Sequence, residues 1–385
     1  MAAVDAAYQA ARQALPGWDA LGGDARASLL EQLADVLVTN KARLFGLLCL
    51  EAGKTVADCV DEVREAIDFC RYYAAQGRAN FAVAIALPGP TGEDNALSLH
   101  GRGVFVCISP WNFPLAIFIG QVSAALAAGN TVIAKPAEAT PRVAQVVIEL
   151  LHSTGVPKAV CQLLLGGAEL GSALVAHPYC GGVAFTGSTA VAQLINRQLA
   201  KSDGPIRPLI AETGGQNAML VDSTALLEQV TDDVVRSAFI SSGQRCSALR
   251  VLCLQQEIAP AAIEMIRGAM AELSVGHPLK LTTDMGPIIS GDAKAALETH
   301  IEDCRNKGFD VYQPPLASDL TGHYLAPTMI EITALADLTA EHFGPVLHVL
   351  RYDAEAIDAL MADINATGYG LTFGIHTRLE ARADA

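Results

Sequence analysis

The sequence predicts an α/β protein with two doubly wound, parallel-sheet domains and a projecting β-hairpin. From Gly103 onward, short apolar segments with strand character alternate with helical segments, and the alternation starts afresh near Asn217. The length of 385 residues also exceeds what one hydrophobic core usually supports. Such alternation is typical of parallel sheets wound with helices, which bind ligands beyond the ends of their strands.

The first 80 residues are predicted to be helical. Asp24 is a plausible N-cap for an amphipathic run with leucine and valine at helical spacing. A second run covers residues 56–73. The intervening segment 51–54 (Glu-Ala-Gly-Lys) is interpreted as a helix stop and restart.

A hairpin and two α/β domains complete the predicted organisation. Strand candidates at 81–87 and 96–100 flank a segment rich in proline and glycine, which predicts a β-hairpin. We therefore place a first domain at 1–80 and 102–213, an oligomerisation arm at 81–101, and a second domain at 214–385.

The strand candidates follow one another in a regular order, and they are interpreted as buried because they are short and apolar. In the first domain they are 104–108, 131–134, 162–165, 182–185 and 208–211; helices are expected at 115–128 and after Thr140, which would cap a helix that starts at Pro141. In the second domain they are 218–221, 249–254, 328–332 and 346–350, with helices at 226–240, near 263–273 and at 293–306.

Composition and charge exclude several classes of function. Apolar residues make up 51% and charged residues 17% of the chain, a globular composition. The formal net charge of -15 argues against nucleic acid and against docking on an anionic membrane. The most apolar region, 115–129, is too short to span a membrane, and residues 1–18 lack a signal-peptide pattern. We expect a cytoplasmic protein.

The nine cysteines include no Cys-x-x-Cys pair, so neither a disulfide framework nor a metal site is predicted. Cys246 stands apart because it follows the polar segment 241–245 (Ser-Ser-Gly-Gln-Arg) between a helix and a strand. Partial exposure beside Arg245 would favour the nucleophilic thiolate. For this segment alone, an inert half-buried cysteine is an equally good interpretation.

Two further polar side chains follow predicted strands. Glu212 comes after the strand at 208–211, and a partly buried carboxylate there would be suited to act as a general base. Asn112, in the segment 109–114 (Ser-Pro-Trp-Asn-Phe-Pro), can donate to an oxyanion. Taken alone, a solvated or helix-capping carboxylate and ordinary turn chemistry beside proline explain these residues better.

No Gly-x-Gly-x-x-Gly follows a predicted strand, so a dinucleotide would need a different loop. Three pairs of residues at strand ends or in loops could replace it, by offering helix N-terminal amides to a pyrophosphate, charged groups to ribose hydroxyls, or an aromatic face to a flat ring. The pairs are Gly187 with Ser188, Lys135 with Glu138, and Glu341 with Phe343. Each pair alone is also explained as solvated rim residues.

Together and in this order, these motifs resemble the aldehyde dehydrogenase superfamily. Six motifs carry the resemblance and span essentially the whole chain: Pro-Trp-Asn-Phe-Pro, Lys-Pro-Ala-Glu, Phe-Thr-Gly-Ser, Glu-Thr-Gly-Gly-Gln, Gly-Gln-Arg-Cys and Glu-His-Phe-Gly-Pro. The finer resemblance, at 100–104, 211–219 and 243–250, is to the pyrroline-carboxylate (glutamate-semialdehyde) dehydrogenase branch. It is similar in particular to the dehydrogenase half of bifunctional proline utilisation proteins.

The resemblance implies NAD-dependent oxidation of an aldehyde, with glutamate semialdehyde as the expected substrate. Cys246 would attack the aldehyde, while its own backbone N–H and the Asn112 amide hold the oxyanion of the thiohemiacetal. After hydride transfer to NAD, Glu212 would activate the water that hydrolyses the thioester. These roles require Cys246, Asn112 and Glu212 to face one cleft.

The resemblance also implies contacts with the cofactor and the substrate. Lys135 and Glu138 would hold the adenosine ribose, with Glu138 favouring NAD over NADP, and Ser188 would meet the pyrophosphate. Glu341 would bind the nicotinamide ribose beside Phe343. The other expected NAD contacts are Ser109, Pro110, Trp111, Gly187 and Gly214, and the expected substrate contacts are Phe113, Ser247 and Glu65. Glu65 would meet the substrate ammonium, although a solvated helix face is the simpler interpretation.

Family members begin earlier and continue past residues 372–377 into a segment that completes a sheet and, in this branch, anchors the substrate carboxylate. We therefore expect a fragment that leaves the hairpin without a partner strand, binds NAD weakly and discriminates little between glutamate semialdehyde and an uncharged aldehyde. The alternatives are another aldehyde dehydrogenase branch, a truncated inactive chain, and a cysteine hydrolase that needs no dinucleotide.

Overall fold

The computed structural model describes residues 2–384, which form two compact units. The first unit comprises Met1–Ala52 and Cys59–Thr213, and the second comprises Gly53–Asp58 and Gly214–Ala385. The short segment Gly53–Asp58 lies inside the predicted first domain but belongs to the second unit. One reason is that Asp58 Oδ1 accepts a hydrogen bond from the Ser241 hydroxyl at 2.7 Å.

Helices form the start of the chain, as predicted: α1 (Ala2–Ala20), α2 (Gly23–Thr39), α3 (Lys41–Ala52) and α4 (Val56–Phe81). The prediction that Asp24 is an N-cap was wrong. The N-cap position is Gly22, whose φ of 83° suits glycine, and Asp24 lies in the first turn of α2, where its carboxylate pairs with Arg78 at 2.9 Å. The predicted stop and restart is confirmed, since α3 ends at Ala52 and α4 begins at Val56.

A hairpin follows α4. Strands β1 (Ile85–Leu87) and β2 (Asn95–Leu97) pair antiparallel and form a two-stranded sheet of their own. Both strands are shorter than the predicted 81–87 and 96–100, in part because α4 extends to Phe81. All six strand residues are exposed.

The first unit contains a five-stranded, fully parallel sheet of order β5-β4-β3-β6-β7. Its strands are β3 (Val104–Ile108), β4 (Thr131–Lys135), β5 (Cys161–Leu163), β6 (Cys180–Thr186) and β7 (Leu209–Glu212). The helices between them are α5 (Ala116–Ala127), α6 (Pro141–Ser153), α7 (Ala168–Ala176) and α8 (Thr189–Ala200). The strand order reverses beside β3, so the carboxyl ends of β3 and β6 flank the crevice where such sheets bind ligands.

Strand β7 differs from its prediction as a buried strand. It lies at the edge of the sheet, and Ile210, Ala211 and Glu212 are all exposed. The apolar residues of an edge strand resemble those of a central strand in sequence, because the missing neighbour leaves no local signal. The sheet core instead lies around β3, β4 and β6, where Val106, Ile133 and Val183 are fully buried against α1, α7 and α8.

The cap of α6 comes from a distant residue. Thr140 occupies the N-cap position and Pro141 the first turn, as predicted, but the Thr140 side chain makes no capping hydrogen bond. Glu51 replaces it: its carboxylate accepts from the backbone N–H of Arg142 at 2.8 Å and of Val143 at 2.9 Å. A carboxylate also suits the positive end of the helix dipole.

The second unit contains a six-stranded sheet of order β10-β11-β12-β9-β8-β13. Its strands are β8 (Ala218–Val221), β9 (Val251–Gln255), β10 (Asp310–Tyr312), β11 (Thr328–Ile332), β12 (Val346–Tyr352) and β13 (Phe373–His376). The helices are α9 (Leu227–Phe239), α10 (Ala259–Glu272), α11 (Gly291–Asn306), α12 (Ile357–Ala366) and α13 (Glu380–Ala383). All strand pairs are parallel except that of β10 with β11; β10 and β13 were not predicted.

Two cores cover the faces of this sheet, as a doubly wound fold requires. Alternate strand residues point to opposite sides: Cys253 and Leu350 pack in the core that includes α11 and α12, whereas Leu252 and Val349 pack in the core that includes α9 and α10. Among residues 2–384, no helix combines the length and the apolarity that crossing a membrane would need.

Candidate active site

The segment that carries Cys246 lies at the amino ends of three neighbouring strands of the second unit. Asn217 directly precedes β8, Arg250 directly precedes β9, and residues 341–345 precede β12. Since β12, β9 and β8 are adjacent and parallel, these segments meet at one edge of the sheet. This edge is opposite to the carboxyl ends where doubly wound sheets usually bind ligands.

The chain reaches Cys246 through a left-handed turn. Ser241 and Ser242 have φ of 55°, and Gly243 has φ of 63°. For serine this conformation costs about 1–2 kcal/mol per residue. Both serines are held by their hydroxyls: Ser241 donates to Asp58 Oδ1 and Ser242 to the Gly286 carbonyl, each at 2.7 Å. At Gly243 a side chain would collide with the backbone of Gly344. Strained backbone of this kind is typical of functional sites.

Asn217 fixes the peptide groups around the nucleophile. Its side-chain amide donates to the carbonyl oxygens of Cys246, at 2.7 Å, and Ala248, at 2.9 Å. Its Oδ1 accepts from the backbone N–H of Thr372 at 3.1 Å. Asn217 is 5% exposed, so these bonds are shielded from water. The orientation of the peptide groups on either side of Cys246 is thereby set by one buried side chain.

Arg250 connects the Cys246 segment to the segment that precedes β12. Its guanidinium donates to the carbonyls of Gly243 (2.7 Å), Arg245 (3.0 Å) and Gly344 (3.0 Å). It also forms an ion pair with Glu341 at 3.5 Å, although the Arg250 side chain is only 2% exposed. The Phe343 ring lies 5.2 Å from the guanidinium carbon. One buried cation therefore holds both segments together.

Glu341 lies against Gly214. A Cβ on Gly214 would collide with the Glu341 carboxylate. Burial raises the pKa of Glu341, while Arg250 and a hydrogen bond from the Gly215 backbone act in the opposite direction. Two residues expected to contact NAD, Glu341 and Gly214, are thus brought together, with Phe343 two residues along the same segment.

Cys246 is half-buried, whereas the other eight cysteines are buried. Burial raises the pKa of the Cys246 thiol above its ordinary value, and the Glu341 carboxylate adds to this effect. Hydrogen bonds from the backbone N–H groups of Ser247 and Cys246 and the charge of Arg245 lower the pKa of the thiol in part. The expected influence of Arg245 is therefore present but does not dominate. Ser247, an expected substrate contact, is also half-buried.

The first unit places the other expected cofactor residues at the carboxyl ends of its strands. Ser188 is the N-cap of α8, and its hydroxyl accepts from the Val191 backbone N–H at 3.3 Å. The helix is 12 residues long and begins at Thr189, shortly after β6 ends at Thr186. Gln121 on α5 connects this strand end to β3 by donating to Thr186 Oγ1 at 2.9 Å and to the Ile108 carbonyl at 3.3 Å.

Lys135 and Glu138 follow β4. Lys135 is 7% exposed, and burial lowers the pKa of its ammonium, an effect that Glu138 partly offsets. The exposed Glu138 carboxylate lies against Gly167, the N-cap of α7, where a Cβ would collide with Oε1. The absence of a side chain at Gly167 therefore admits this carboxylate at a helix N-terminus.

The segment after β3 contains a buried polar group. Ser109 is 4% exposed, and its hydroxyl has no hydrogen-bond partner among residues 2–384. Asn112 is buried at 8% exposure, and Pro110, Trp111 and Phe113 are half-buried. An uncompensated buried hydroxyl costs free energy, and a ribose or amide group of a ligand would offset that cost.

Glu212 differs from expectation. Its side chain is exposed in this structure, so the partial burial expected of a general base is not found. Its backbone carbonyl accepts from the Gly187 N–H at 3.1 Å, which places Glu212 beside the start of α8. Glu212 is nonetheless the last residue of β7, which pairs with β6, the strand that precedes Gly187 and Ser188.

A cavity of about 550 Å³ opens on one face of α4. Glu65, the expected ammonium contact, lines it and is exposed. Two further carboxylates, Asp61 and Asp68, one cation, Arg64, and the rings of Phe69 and Tyr72 complete its lining. With three carboxylates and one cation, the charged part of the lining is mainly acidic.

Sequence reasoning missed Asn217 and Arg250 as functional positions, although both lie in segments that carry the family resemblance. A buried Arg250 cannot be distinguished from a surface arginine by spacing alone. The available signal was their place directly before strands, which parallel pairing brings together. In the described part of the chain, no group of three or more histidine, cysteine or acidic side chains is arranged to hold a metal ion.

The fold and the clustered motifs define a class of protein. The chain belongs to the aldehyde dehydrogenase family, whose pattern it matches over residues 1–385 and whose members depend on NAD or NADP. It is 34% identical to the 1-pyrroline-5-carboxylate dehydrogenase of Bacillus subtilis over 384 residues, which are 98% of this chain and 74% of that protein.

Solved structures agree with this assignment. A structure of proline utilization A (PutA) with proline bound in remote sites has a TM-score of 0.97 and 52% identity, covering 99% of this chain and 39% of that chain. A complex of PnpE with nicotinamide adenine dinucleotide has a TM-score of 0.93 and 31% identity, covering 99% and 78%. The chain spans 28% of the length of the bifunctional PutA protein of Escherichia coli.

Proposed function

We propose that this chain oxidises glutamate γ-semialdehyde to glutamate with NAD, through a thiohemiacetal and a thioester on Cys246. One observation carries the proposal. The single half-buried thiol among nine cysteines lies in a strained segment that Asn217 and Arg250 fix at the amino ends of three strands. A family whose members oxidise small aldehydes provides the reaction class, and the Bacillus subtilis relative provides the substrate.

The residues of this chain suit NAD. Glu138 and Lys135 would hold the adenosine ribose, the Ser109 hydroxyl would gain a partner, and the first N–H groups of α8 behind Ser188 would meet the pyrophosphate. Glu341 would bind the second ribose, since Gly214 permits its carboxylate to lie against the backbone. NAD supplies the hydride acceptor when it is bound.

The protein groups act on the substrate carbonyl in sequence. The Cys246 thiolate forms a bond to the carbonyl carbon, and the oxygen that gains the negative charge accepts hydrogen bonds from the Cys246 backbone N–H and the Asn112 amide. Once the thioester exists, Glu212 accepts a proton from water as the water oxygen bonds to the acyl carbon. The carbon–sulfur bond then breaks, which restores the thiolate and releases the acid.

The acidic cavity on α4 supports an amino-acid aldehyde as the substrate. Asp61, Glu65 and Asp68 offer negative charge to an ammonium group, and Phe69 and Tyr72 offer apolar surface to a short carbon chain. A site that pairs with a charged group discriminates strongly against an analogue that lacks it. An uncharged aldehyde would leave these carboxylates solvated and would gain nothing from them.

The test is NADH formation, measured by absorbance, from glutamate γ-semialdehyde and from pentanal, an uncharged aldehyde of similar length. The sequence alone predicts little discrimination between these two aldehydes. Because of the acidic cavity on α4 we instead expect turnover of the first substrate, a higher kcat/KM for it than for pentanal, and no turnover by Cys246→Ala. Glu65→Gln should raise KM for glutamate semialdehyde and leave pentanal unaffected. NADH formation that persists in Cys246→Ala, or equal kcat/KM for the two aldehydes, would contradict the mechanism or the substrate respectively.

A further inference from the structure

A second cavity, of about 470 Å³, lies in the first unit at the edge of the sheet opposite to the expected cofactor residues. Its lining includes the amino ends of β3 (Gly103, Val104) and β6 (Cys180, Gly181). The candidate NAD residues follow the carboxyl ends of the same strands, at Ile108 and Thr186. Because the strands are parallel, this cavity and the candidate NAD site lie at opposite ends of the strands. None of the residues assigned to catalysis or to NAD binding lines this cavity.

Three arginines line this cavity: Arg12 from α1, Arg102 before β3, and Arg207 before β7. Within residues 2–384, none of them forms an ion pair with a carboxylate. The nearby Asp5 carboxylate pairs with His177 instead, at 3.3 Å. The chain as a whole is acidic, with a net charge of -15. A cavity lined by three arginines that have no carboxylate partner is therefore unusual for this chain.

The guanidinium groups are held in place by neutral partners. Arg207 donates to the carbonyls of His177 (3.3 Å) and Pro178 (3.2 Å), and Arg102 donates to the Ile206 carbonyl. Arg12 stacks over the Tyr179 ring, with its guanidinium carbon 3.6 Å from the ring centroid. These contacts use only part of the five N–H donors of each guanidinium and leave its charge uncompensated. The groups are thus preorganised, which reduces the entropy lost when a ligand binds.

The rest of the lining is apolar or bare backbone. Ile206 is 90% exposed and Tyr179 is 45% exposed, so both present apolar surface to a ligand. On the inner side, Gly103 and Gly181 lie opposite each other, and a Cβ on Gly181 would meet the backbone of Val104 at 3.0 Å. Both glycines line the cavity without a side chain. The cavity therefore combines fixed cations with room for a small apolar body.

We propose that this cavity is a binding site for a small organic anion, whose carboxylate or phosphate group pairs with Arg12, Arg102 and Arg207. Planar guanidiniums bind such groups through paired N–H donors, with a geometry that chloride cannot reproduce. The apolar part of the ligand lies against Tyr179 and Ile206. The site is independent of the dehydrogenase reaction proposed above, and it can be occupied in an inactive variant.

The test uses the full chain and two probes, glutarate for a carboxylate ligand and inorganic phosphate for a phosphate ligand. Binding is measured by isothermal titration calorimetry and by the shift in melting temperature at constant ionic strength, with chloride as the reference anion. We expect saturable binding of at least one probe. We also expect Arg12→Gln and Arg102→Gln to weaken it about tenfold or more, since each removes charged hydrogen-bond donors.

Arg43→Gln is the matched control, because it removes the same charge from an exposed arginine on α3 and should leave the affinity unchanged. Among residues 2–384, the Arg12 side chain makes no hydrogen bond with the backbone, so Arg12→Gln should keep the melting temperature of the unliganded protein. Binding that is lost in Cys246→Ala would place the ligand in the dehydrogenase site and overturn the proposal. The proposal is also overturned if neither probe saturates or if Arg43→Gln weakens binding as much as Arg12→Gln.

Discussion

The side-chain amide of Asn217 donates to the carbonyl oxygen of Cys246 at 2.7 Å, and the same nitrogen donates to Ala248 at 2.9 Å. One buried side chain therefore closes the turn that carries the nucleophile. Asn217 directly precedes β8, and its own carbonyl accepts from the N–H groups of Arg250 and Val251, each at 3.0 Å. The orientation of Cys246 is thus tied to the pairing of the neighbouring strands β8 and β9.

Asn217→Ala should lower kcat/KM for the aldehyde by about 10- to 100-fold, because two buried carbonyl oxygens lose a donor worth about 1–3 kcal/mol. Asn217→Asp should be worse, since it sets a carboxylate oxygen against two carbonyl oxygens. Initial rates of NADH formation measure the effect. Asn80→Ala is the control, because the exposed Asn80 side chain near the end of α4 donates to Gln76, one turn earlier in the same helix. Wild-type kcat/KM in Asn217→Ala would show that the turn holds its shape without this amide.

The Cys246 thiol should react slowly at neutral pH and faster as the pH rises. Burial and, to a smaller extent, Glu341 raise the pKa of the thiol, so the thiolate fraction at neutral pH is below that of an ordinary cysteine. Iodoacetamide should alkylate this residue selectively, because the other eight cysteines are buried. The rate as a function of pH, followed by mass spectrometry, gives the titration directly.

Glu341→Gln should move that titration to lower pH, since it removes a negative charge that raises the pKa of Cys246. Glu272→Gln, at the exposed end of α10, removes the same charge elsewhere and should leave the profile in place. Cys246→Ala should show no fast alkylation at any pH. An unshifted profile in Glu341→Gln would mean that the carboxylate does not influence the thiol.

Three histidines of the second unit, of which His348 is buried and His300 and His342 are half-buried, form a cluster that should make folding sensitive to acid. His348 Nδ1 lies 3.2 Å from the Arg250 carbonyl and must donate to it, so neutral His348 accepts at Nε2 from His300 Nε2 at 2.8 Å. The His342 ring stacks on His300 with centroids 3.3 Å apart. Burial lowers the pKa of His348 to about 3 and that of His342 to about 4, and the neighbouring histidines and Arg250 add to the effect.

The sign of the effect follows from these values. In the unfolded chain these histidines take up protons as the pH falls below about 6.5, whereas in the folded chain they stay neutral until about pH 4 and 3. Stability is therefore fully present above pH 6.5 and is lost as the pH falls, by up to about 1.4 kcal/mol per pH unit for each proton. Urea unfolding between pH 7 and pH 4 measures this slope.

His348→Gln should reduce the slope, because the unfolded variant binds one proton fewer in this window. His277→Gln, at an exposed position, is the control and should keep the wild-type slope. Both variants are compared by slope, so a uniform loss of stability in His348→Gln does not obscure the result. Parallel curves for His348→Gln and the wild type would refute the assignment.

The sequence predicted the central strands and missed what depends on distant contacts. Strands at Val104–Ile108, Ala218–Val221 and Thr328–Ile332 are confirmed to the residue, because a central strand of a parallel sheet is one short apolar run. The prediction that β7 is buried was wrong, because β7 lies at the edge of the sheet and the lack of a further neighbouring strand leaves no signal in its own sequence. The prediction that Thr140 caps α6 was wrong for a similar reason. The carboxylate that caps this helix belongs to Glu51, which lies 91 residues from Arg142 in sequence.

The motifs predicted which residues carry the chemistry better than they predicted the burial and the contacts of those residues. Cys246, Glu341 and Gly214 were selected from local patterns, and the structure brings the last two together. No motif identified Asn217 or Arg250 as functional. Each holds the Cys246 segment by hydrogen bonds to backbone carbonyls, and such bonds are not visible in the sequence. The exposure of Glu212 in this structure was equally invisible, since it depends on the edge position of β7.

Glu138 should set the preference for NAD over NADP. Its carboxylate is held against Gly167, where it would repel a 2′-phosphate on the ribose it is proposed to bind. Glu138→Gln should raise the ratio of kcat/KM for NADP to that for NAD by about five- to tenfold, the effect of one charge pair near a solvated surface. Glu149→Gln, an exposed position on α6, is the control. A wild-type preference for NADP would contradict the assignment of Glu138.

Glu212→Gln should separate the two halves of the reaction. Formation of the thioester precedes the step that needs a base, so the variant should still produce NADH in the first turnover and then stall with the acyl group on Cys246. Stopped-flow absorbance should show a burst close to one NADH per active chain, followed by a steady rate reduced by about 10²- to 10⁴-fold, the usual contribution of a general base. Intact-protein mass spectrometry of the stalled enzyme should show the added acyl mass, and Cys246→Ala should show neither burst nor adduct.

Glu169→Gln, an exposed carboxylate in the first turn of α7, is the matched control and should keep both phases. If burst and steady rate fall together in Glu212→Gln, the carboxylate acts before acylation, and the base that hydrolyses the thioester is another group.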